Sequence, residues 1–281
     1  MALLQVEDLH IGFSRGKDTT QAVQGVSFRL KHSQTVCLVG ESGSGKSLTA
    51  RAVMGLLPEG SHFSGTIRFD GEVVTDGKAL SHGHEWCGRG MAMIFQEPMA
   101  GLNPSMRVQA LVGEAYRLRF GATPSAVKER VCTILEQTGI LSPAEILDAY
   151  PWQLSGGLAQ RVMIASSLIL KPRLLIADEP TTALDVTTQA QILRVLARLR
   201  QEQDLALLFI THDLSVAALM GGITLVMNSG RVMEQGKTLD ILHNPSHPYT
   251  RNLVACMPSQ ALAEGRQTLS PNASADLEVV R

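Results

Sequence analysis

Gly40-Glu41-Ser42-Gly43-Ser44-Gly45-Lys46-Ser47 is the stretch that decides the fold. It fits the pattern G-x-x-x-x-G-K-[ST]. Before it runs Thr35-Val36-Cys37-Leu38-Val39, short, apolar and β-branched, as a buried strand should be. After it, Leu48 to Leu57 is helical in pattern and meets Pro58. The loop therefore sits between a strand and a helix N-terminus. There the N–H groups of residues 41 to 47 are expected to point inward around a polyphosphate. Glycines 40, 43 and 45 permit backbone angles that a side chain forbids. Lys46 is expected to reach the β- and γ-phosphates of a nucleoside triphosphate, and the Ser47 hydroxyl to ligate Mg²⁺. A dinucleotide turn is disfavoured, because the glycine spacing is G-x-x-G-x-G and a Lys-Ser pair closes it.

The 281 residues are enough for one large domain or two small ones. Acids (26) and bases (25) nearly cancel, which leaves no basic surplus for nucleic acid. Cys37, Cys87, Cys132 and Cys256 are scattered, with no C-x-x-C, which suits a reducing compartment and argues against a zinc or disulfide framework. The first residues, Met1 to Asp8, turn acidic at once and do not read as a signal peptide. No apolar run approaches the ~18 residues that span a bilayer. A soluble, cytoplasmic chain is expected, held at any membrane by other chains.

Residues 3 to 30 read as two or three short strands around a polar loop, Ser14 to Gln21. Gly65 to Gly71 reads as a strand running into a turn, followed by a loop to about residue 90. Met91 to Phe95 is a buried strand ending at Gln96. From about 100 to 170 helical periodicity takes over, in Val108 to Phe120, Ser125 to Gln137 and Leu158 to Leu170. This is expected to be a helical subdomain inserted into an α/β core. Strand and helix then alternate to Glu234, which implies a largely parallel sheet. Residues 1–258 are expected to form one domain, and 259–281 a polar, mobile tail.

Arg173 to Glu179 reads as a strand ending in two carboxylates. Asp178 is placed to hold Mg²⁺ through water, and Glu179 to orient and polarise the water that attacks a γ-phosphate. The plainer alternative is a solvated acidic pair at a strand end. His82-Gly83-His84-Glu85-Trp86-Cys87 offers nickel or zinc ligands, but a polar surface loop explains it as well.

Six motifs in register resemble the ATP-binding-cassette (ABC) ATPases. Besides the P-loop and the Asp178-Glu179 strand end, Leu154-Ser155-Gly156-Gly157 resembles the family's signature. Gln96 stands where its Q-loop glutamine does. Ala183-Leu184-Asp185 resembles its D-loop, and Thr211-His212-Asp213 its switch histidine. The likeness covers about residues 3 to 258. It implies an α/β fold: a P-loop NTPase cassette with a RecA-like core, an N-terminal antiparallel β region and an inserted helical subdomain. It implies ATP and Mg²⁺ as cofactors. Gly40 to Leu48 would hold the nucleotide, Phe13 would stack on adenine, and Ser47, Gln96 and Asp178 would attend the metal. Glu179, His212, Lys46 and Gln96 would act in catalysis. Ser155, Gly156, Gly157 and Asp185 would complete the site of a second cassette, since the signature lies too far along the helical subdomain to serve its own P-loop. The family's usual Gln after the two glycines is Leu158 here, with Gln160-Arg161 two places on.

Two further stretches, Phe95 to Pro104 and Asn244 to Thr250, resemble the branch of oligopeptide, dipeptide and nickel importers. That branch implies two transmembrane permease subunits, a second ATPase chain as a heterodimer, an external solute-binding protein and a place on the cytoplasmic face of the membrane. A non-transport cassette of DNA repair or translation would insert coiled coils or a second cassette. An exporter ATPase would lack the His247-Pro248-Tyr249 element.

Overall fold

A computed structural model describes residues 1–15, 18–75, 86–182 and 184–257. The chain falls into two compact units. One is built from the described residues up to 75 and from 206 onward, the other from 86 to 205.

The first unit opens with a hairpin, β1 (Ala2–Arg15) and β2 (Asp18–Lys31). Its strands are longer than the pattern predicts. The polar run Ser14 to Gln21 does not form the expected loop: Phe13 pairs with Thr20 and Ser14 with Thr19. Polar residues on a solvated strand face keep the ladder without adding apolar periodicity, so the extension is silent to a hydrophobic pattern. β3 (Thr35–Val39) is followed by α1 (Lys46–Val53). α1 ends near Gly55, at φ 69°, before Pro58 is reached. β4 (Ser61–Phe69) pairs with β1, and β5 (Glu72–Thr75) with β4. β5 stands where a loop is expected; its Val73-Val74-Thr75 run is β-branched, and Val74 is buried.

The second unit begins with β6 (Met91–Ile94) and the single turn α2 (Pro98–Gly101). The helices α3 (Val108–Phe120), α4 (Pro124–Gln137) and α5 (Pro143–Ile146) follow. Then come α6 (Gly156–Leu168), β7 (Leu174–Asp178) and α7 (Val186–Glu202). β6 and β7 pair in parallel, Met91 opposite Leu174 and Ile94 opposite Ala177. α3, α4 and α6 pack on one another through Val108, Val112, Val127, Val131, Val162 and Ile164, all buried. Gly113 lets α3 and α4 approach closely, for a Cβ there would lie 3.0 Å from Val131 Cγ2.

The chain returns to the first unit with β8 (Ala206–Thr211), α8 (Leu214–Met220), β9 (Ile223–Asn228) and β10 (Arg231–Lys237). β3 lies between β8 and β9, parallel to both, and β10 closes the edge antiparallel to β9. Val36, Cys37, Leu38 and Val39 are completely buried, as a strand covered on both faces requires. α9 (Thr238–His243) and α10 (Pro248–Ala255) complete the described chain. Among the described residues no helix is long and apolar enough to cross a membrane.

Candidate functional site

In the first unit, β3 delivers the chain to Gly40 at its C-terminal end. A Cβ on Gly40 would run into the Met227 carbonyl and the Ser44 hydroxyl. One on Gly45, at φ 99°, would stand 2.7 Å from the Ala22 carbonyl. Only glycine fits either place. The Gly230 N–H donates to the Ser44 carbonyl at 3.1 Å and ties the loop to the β9–β10 turn.

Lys46 opens α1 and is 4% exposed. Its ammonium donates to the Gly40 carbonyl at 2.8 Å, the Glu41 carbonyl at 2.7 Å and the Ser44 hydroxyl at 3.3 Å. The lysine expected to reach a phosphate thus grips its own loop. Glu41, Ser42 and Gly43 are exposed on the rim, while Ser47 and Leu48 are half-buried. A buried cation beneath a helix N-terminus attracts anions, which is the electrostatic core of a phosphate receptor. One N–H is turned elsewhere. Glu41 donates to the Tyr249 hydroxyl at 3.4 Å instead of pointing into the loop. The reason is local: Lys46 holds the Gly40 carbonyl, and in a trans peptide the following N–H faces the opposite way.

His212 follows β8 and is exposed. Asp213 beside it caps α8, accepting from the Ser215 N–H at 2.7 Å. The capping duty therefore belongs to Asp213, and the imidazole faces outward. Phe13 is half-buried on β1 between its ladder partners Thr20 and Ser61.

In the second unit, Asp178 ends β7 and is 3% exposed. Glu179 follows at φ 46°, in the left-handed region that few side chains adopt. Its Oε2 accepts from Gln96 Nε2 at 3.0 Å and from the Thr182 hydroxyl at 2.9 Å. The structure thus brings two expected residues, Gln96 and Glu179, together and adds Thr182, which the sequence reading missed. Its signal was a hydroxyl three places after a carboxylate, across a turn closed by Thr182 N–H to the Glu179 carbonyl. Carboxylate oxygen at Asp178 in this unit and hydroxyl oxygen at Ser47 in the first are hard donors suited to Mg²⁺.

Ser155 caps α6, accepting from the Leu158 N–H at 3.4 Å, and Gly156 and Gly157 open the helix. Asp185 caps α7 through the Thr188 N–H at 3.0 Å, and hydrogen bonds from Thr188 hold its carboxyl below the usual range. A Cβ on Gly157 would lie 2.9 Å from Thr188 Cγ2, so the two helix starts are close neighbours. Ala183, His82, His84 and Glu85 lie outside the described residues. Cys87 is half-buried, and burial pushes its thiol up. Among the described residues no group of three His, Cys, Asp or Glu is arranged to hold a metal ion.

The ABC transporter model matches residues 23–182, and the model of the oligopeptide/dipeptide transporter C-terminal region matches 233–278. The dipeptide transport ATP-binding protein DppD of Escherichia coli (strain K12) is 42% identical over 274 residues, 96% of this chain and 83% of DppD. The peptidoglycan transport ATP-binding protein YejF of Agrobacterium fabrum is 45% identical over 260 residues, 91% of this chain, which spans only 47% of YejF. Among solved structures, the dimeric post-hydrolysis state of an ATP-binding cassette bound to ADP and Pi superposes with a TM-score of 0.73. That pair is 24% identical, over 84% of this chain and 98% of the other, and speaks for the fold. The first family match alone spans more than half of the chain, and with the second it makes this chain a member of the ABC transporter family, an ATP-hydrolysing importer subunit of the oligopeptide/dipeptide branch.

Proposed function

We propose that this chain turns over Mg²⁺-ATP to drive uptake of short peptides through two partner permeases. The observation that carries the cargo class is the C-terminal match across residues 233–278, together with the relatives named for dipeptide and oligopeptide transport.

Each residue has a role. The Gly40–Leu48 loop binds the phosphates, and Lys46 exchanges its carbonyl partners for phosphate oxygens. Phe13 supports adenine. Ser47, Asp178 and Gln96 would hold Mg²⁺, which neutralises charge on the β- and γ-phosphates when bound. Glu179 orients water and accepts its proton, and Gln96 and Thr182 fix the carboxylate for that task. His212 contacts the γ-phosphate. The N-terminus of α6 at Ser155-Gly156-Gly157, with Asp185 beside it, serves the nucleotide on a second cassette. The proposed second cassette is a different ATPase chain, as a heterodimer.

Phe95 and Met99 stay exposed next to Gln96, 40% and 47% of their surface open, and offer an apolar seat for a permease loop. Cargo reaches the permeases on an external solute-binding protein, and the chain sits on the cytoplasmic face of the membrane.

Uptake tests the reading. In a strain lacking this chain, labelled dipeptide uptake is expected to fall, and to return with wild type but not with Glu179→Gln. Loss of nickel uptake alone would move the cargo to metal. Unchanged uptake of both would overturn the cargo assignment.

A further inference from the structure

Glu234 on β10 accepts from the Ser246 N–H at 2.8 Å, the Ser246 hydroxyl at 2.7 Å and the His247 N–H at 2.9 Å. His247 then caps α10, its Nδ1 accepting from the Tyr249 N–H at 3.1 Å. Arg251 braces the same turn by donating to the Pro245 and Ser246 carbonyls at 3.2 and 2.7 Å. The chain between β10 and α10 is thereby fixed in place. At its end Tyr249 lays its hydroxyl against the Glu41 N–H.

The Gly40 carbonyl and the Glu41 N–H belong to one peptide plane. Lys46 holds the carbonyl edge and Tyr249 the N–H edge. When a phosphate takes the ammonium, the first grip goes and the second is left. Gly40 has no side chain to hinder a peptide flip, so the plane depends on that second grip. We propose that Tyr249 is a positioning residue for nucleotide binding: its hydroxyl holds the Gly40–Glu41 peptide while Lys46 moves onto phosphate. The inference rests on the assignment of ATP to this loop. Burial and the nearby Glu41 carboxylate push the Tyr249 phenol up, so it stays neutral and a competent acceptor at physiological pH.

The test uses the full chain, a fluorescent ATP analogue and amide hydrogen exchange. Tyr249→Phe keeps the ring and deletes only the hydroxyl. Its affinity for the analogue is expected to fall about three- to tenfold, the loss of one hydrogen bond. In the nucleotide-free protein the Glu41 amide is expected to exchange faster while the α10 amides keep their protection. Lys46→Ala, which removes the ammonium itself, sets the floor for binding. Wild type that fails to bind the analogue overturns both the ATP assignment and this inference. Wild type that binds, with Tyr249→Phe equal to it or tighter, overturns this inference alone. So does faster exchange at Glu41 without a change in affinity, because the contact is then structural only.

Discussion

Glu179 holds a left-handed backbone at φ 46°, an arrangement that costs of order 1–3 kcal/mol unless its surroundings impose it. Here they do, through Gln96 and Thr182 on one carboxylate oxygen. Removing one donor leaves the other, so Thr182→Ala is expected to keep nucleotide binding and lower steady-state ATP turnover by about tenfold. Glu179→Gln removes the proposed base and is expected to cost on the order of 10²–10⁴ in turnover. A Thr182→Ala enzyme as fast as wild type would leave the carboxylate positioned by Gln96 alone. At this scale the sequence spoke clearly wherever a motif fixes a residue by its neighbours, as with Lys46 or Asp178. It was silent on the contact between Tyr249 and Glu41, which spans a separation of 208 residues. No periodicity or spacing rule reaches that far.

The turn between α9 and α10 is organised around one half-buried acceptor. Burial by itself would raise the Glu234 carboxyl, but the N–H and hydroxyl of Ser246 and the N–H of His247 outweigh it and hold the group at about 2. Its value in an unfolded chain is near 4.5. The folded value is the lower one, so the charged group stabilises the fold above pH 4.5, and that contribution drains away as pH falls toward 2. Glu234→Gln is therefore expected to lower Tm at pH 7. The gap to wild type should narrow steadily in denaturation runs between pH 4.5 and 3; a gap that stays constant would assign the loss to packing. Elements with a strong apolar period, such as α3, were readable to the residue. β5 and the far end of the β1–β2 hairpin were not, since half of a solvated strand is polar by construction and imitates a loop.

For the molecule as a whole, the proposal that the signature turn serves another cassette makes turnover a property of pairs. ATPase rate per chain, measured with the pairing ATPase chain present, is expected to rise with concentration and then level off. A rate per chain that never changes on dilution would mean that one cassette completes its own site. The family was legible because six short motifs stand in order along the chain, and its branch because Phe95 to Pro104 and Asn244 to Thr250 accompany them. The expectation of pairing comes only through that likeness, since nothing in a single chain's pattern names its neighbour.

β3 also has a history in time. It is flanked by β8 and β9, yet Thr35–Val39 leaves the ribosome some 170 residues ahead of Ala206. At bacterial-type synthesis rates of about 5–20 residues per second, the central strand waits on the order of ten seconds for either neighbour. Throughout that interval a five-residue ribbon, apolar but for Thr35, has both edges unsatisfied, which is the hazard that nascent-chain chaperones exist to cover. The loop that will grip ATP is thus made well before the strands and the turn that hold it in shape.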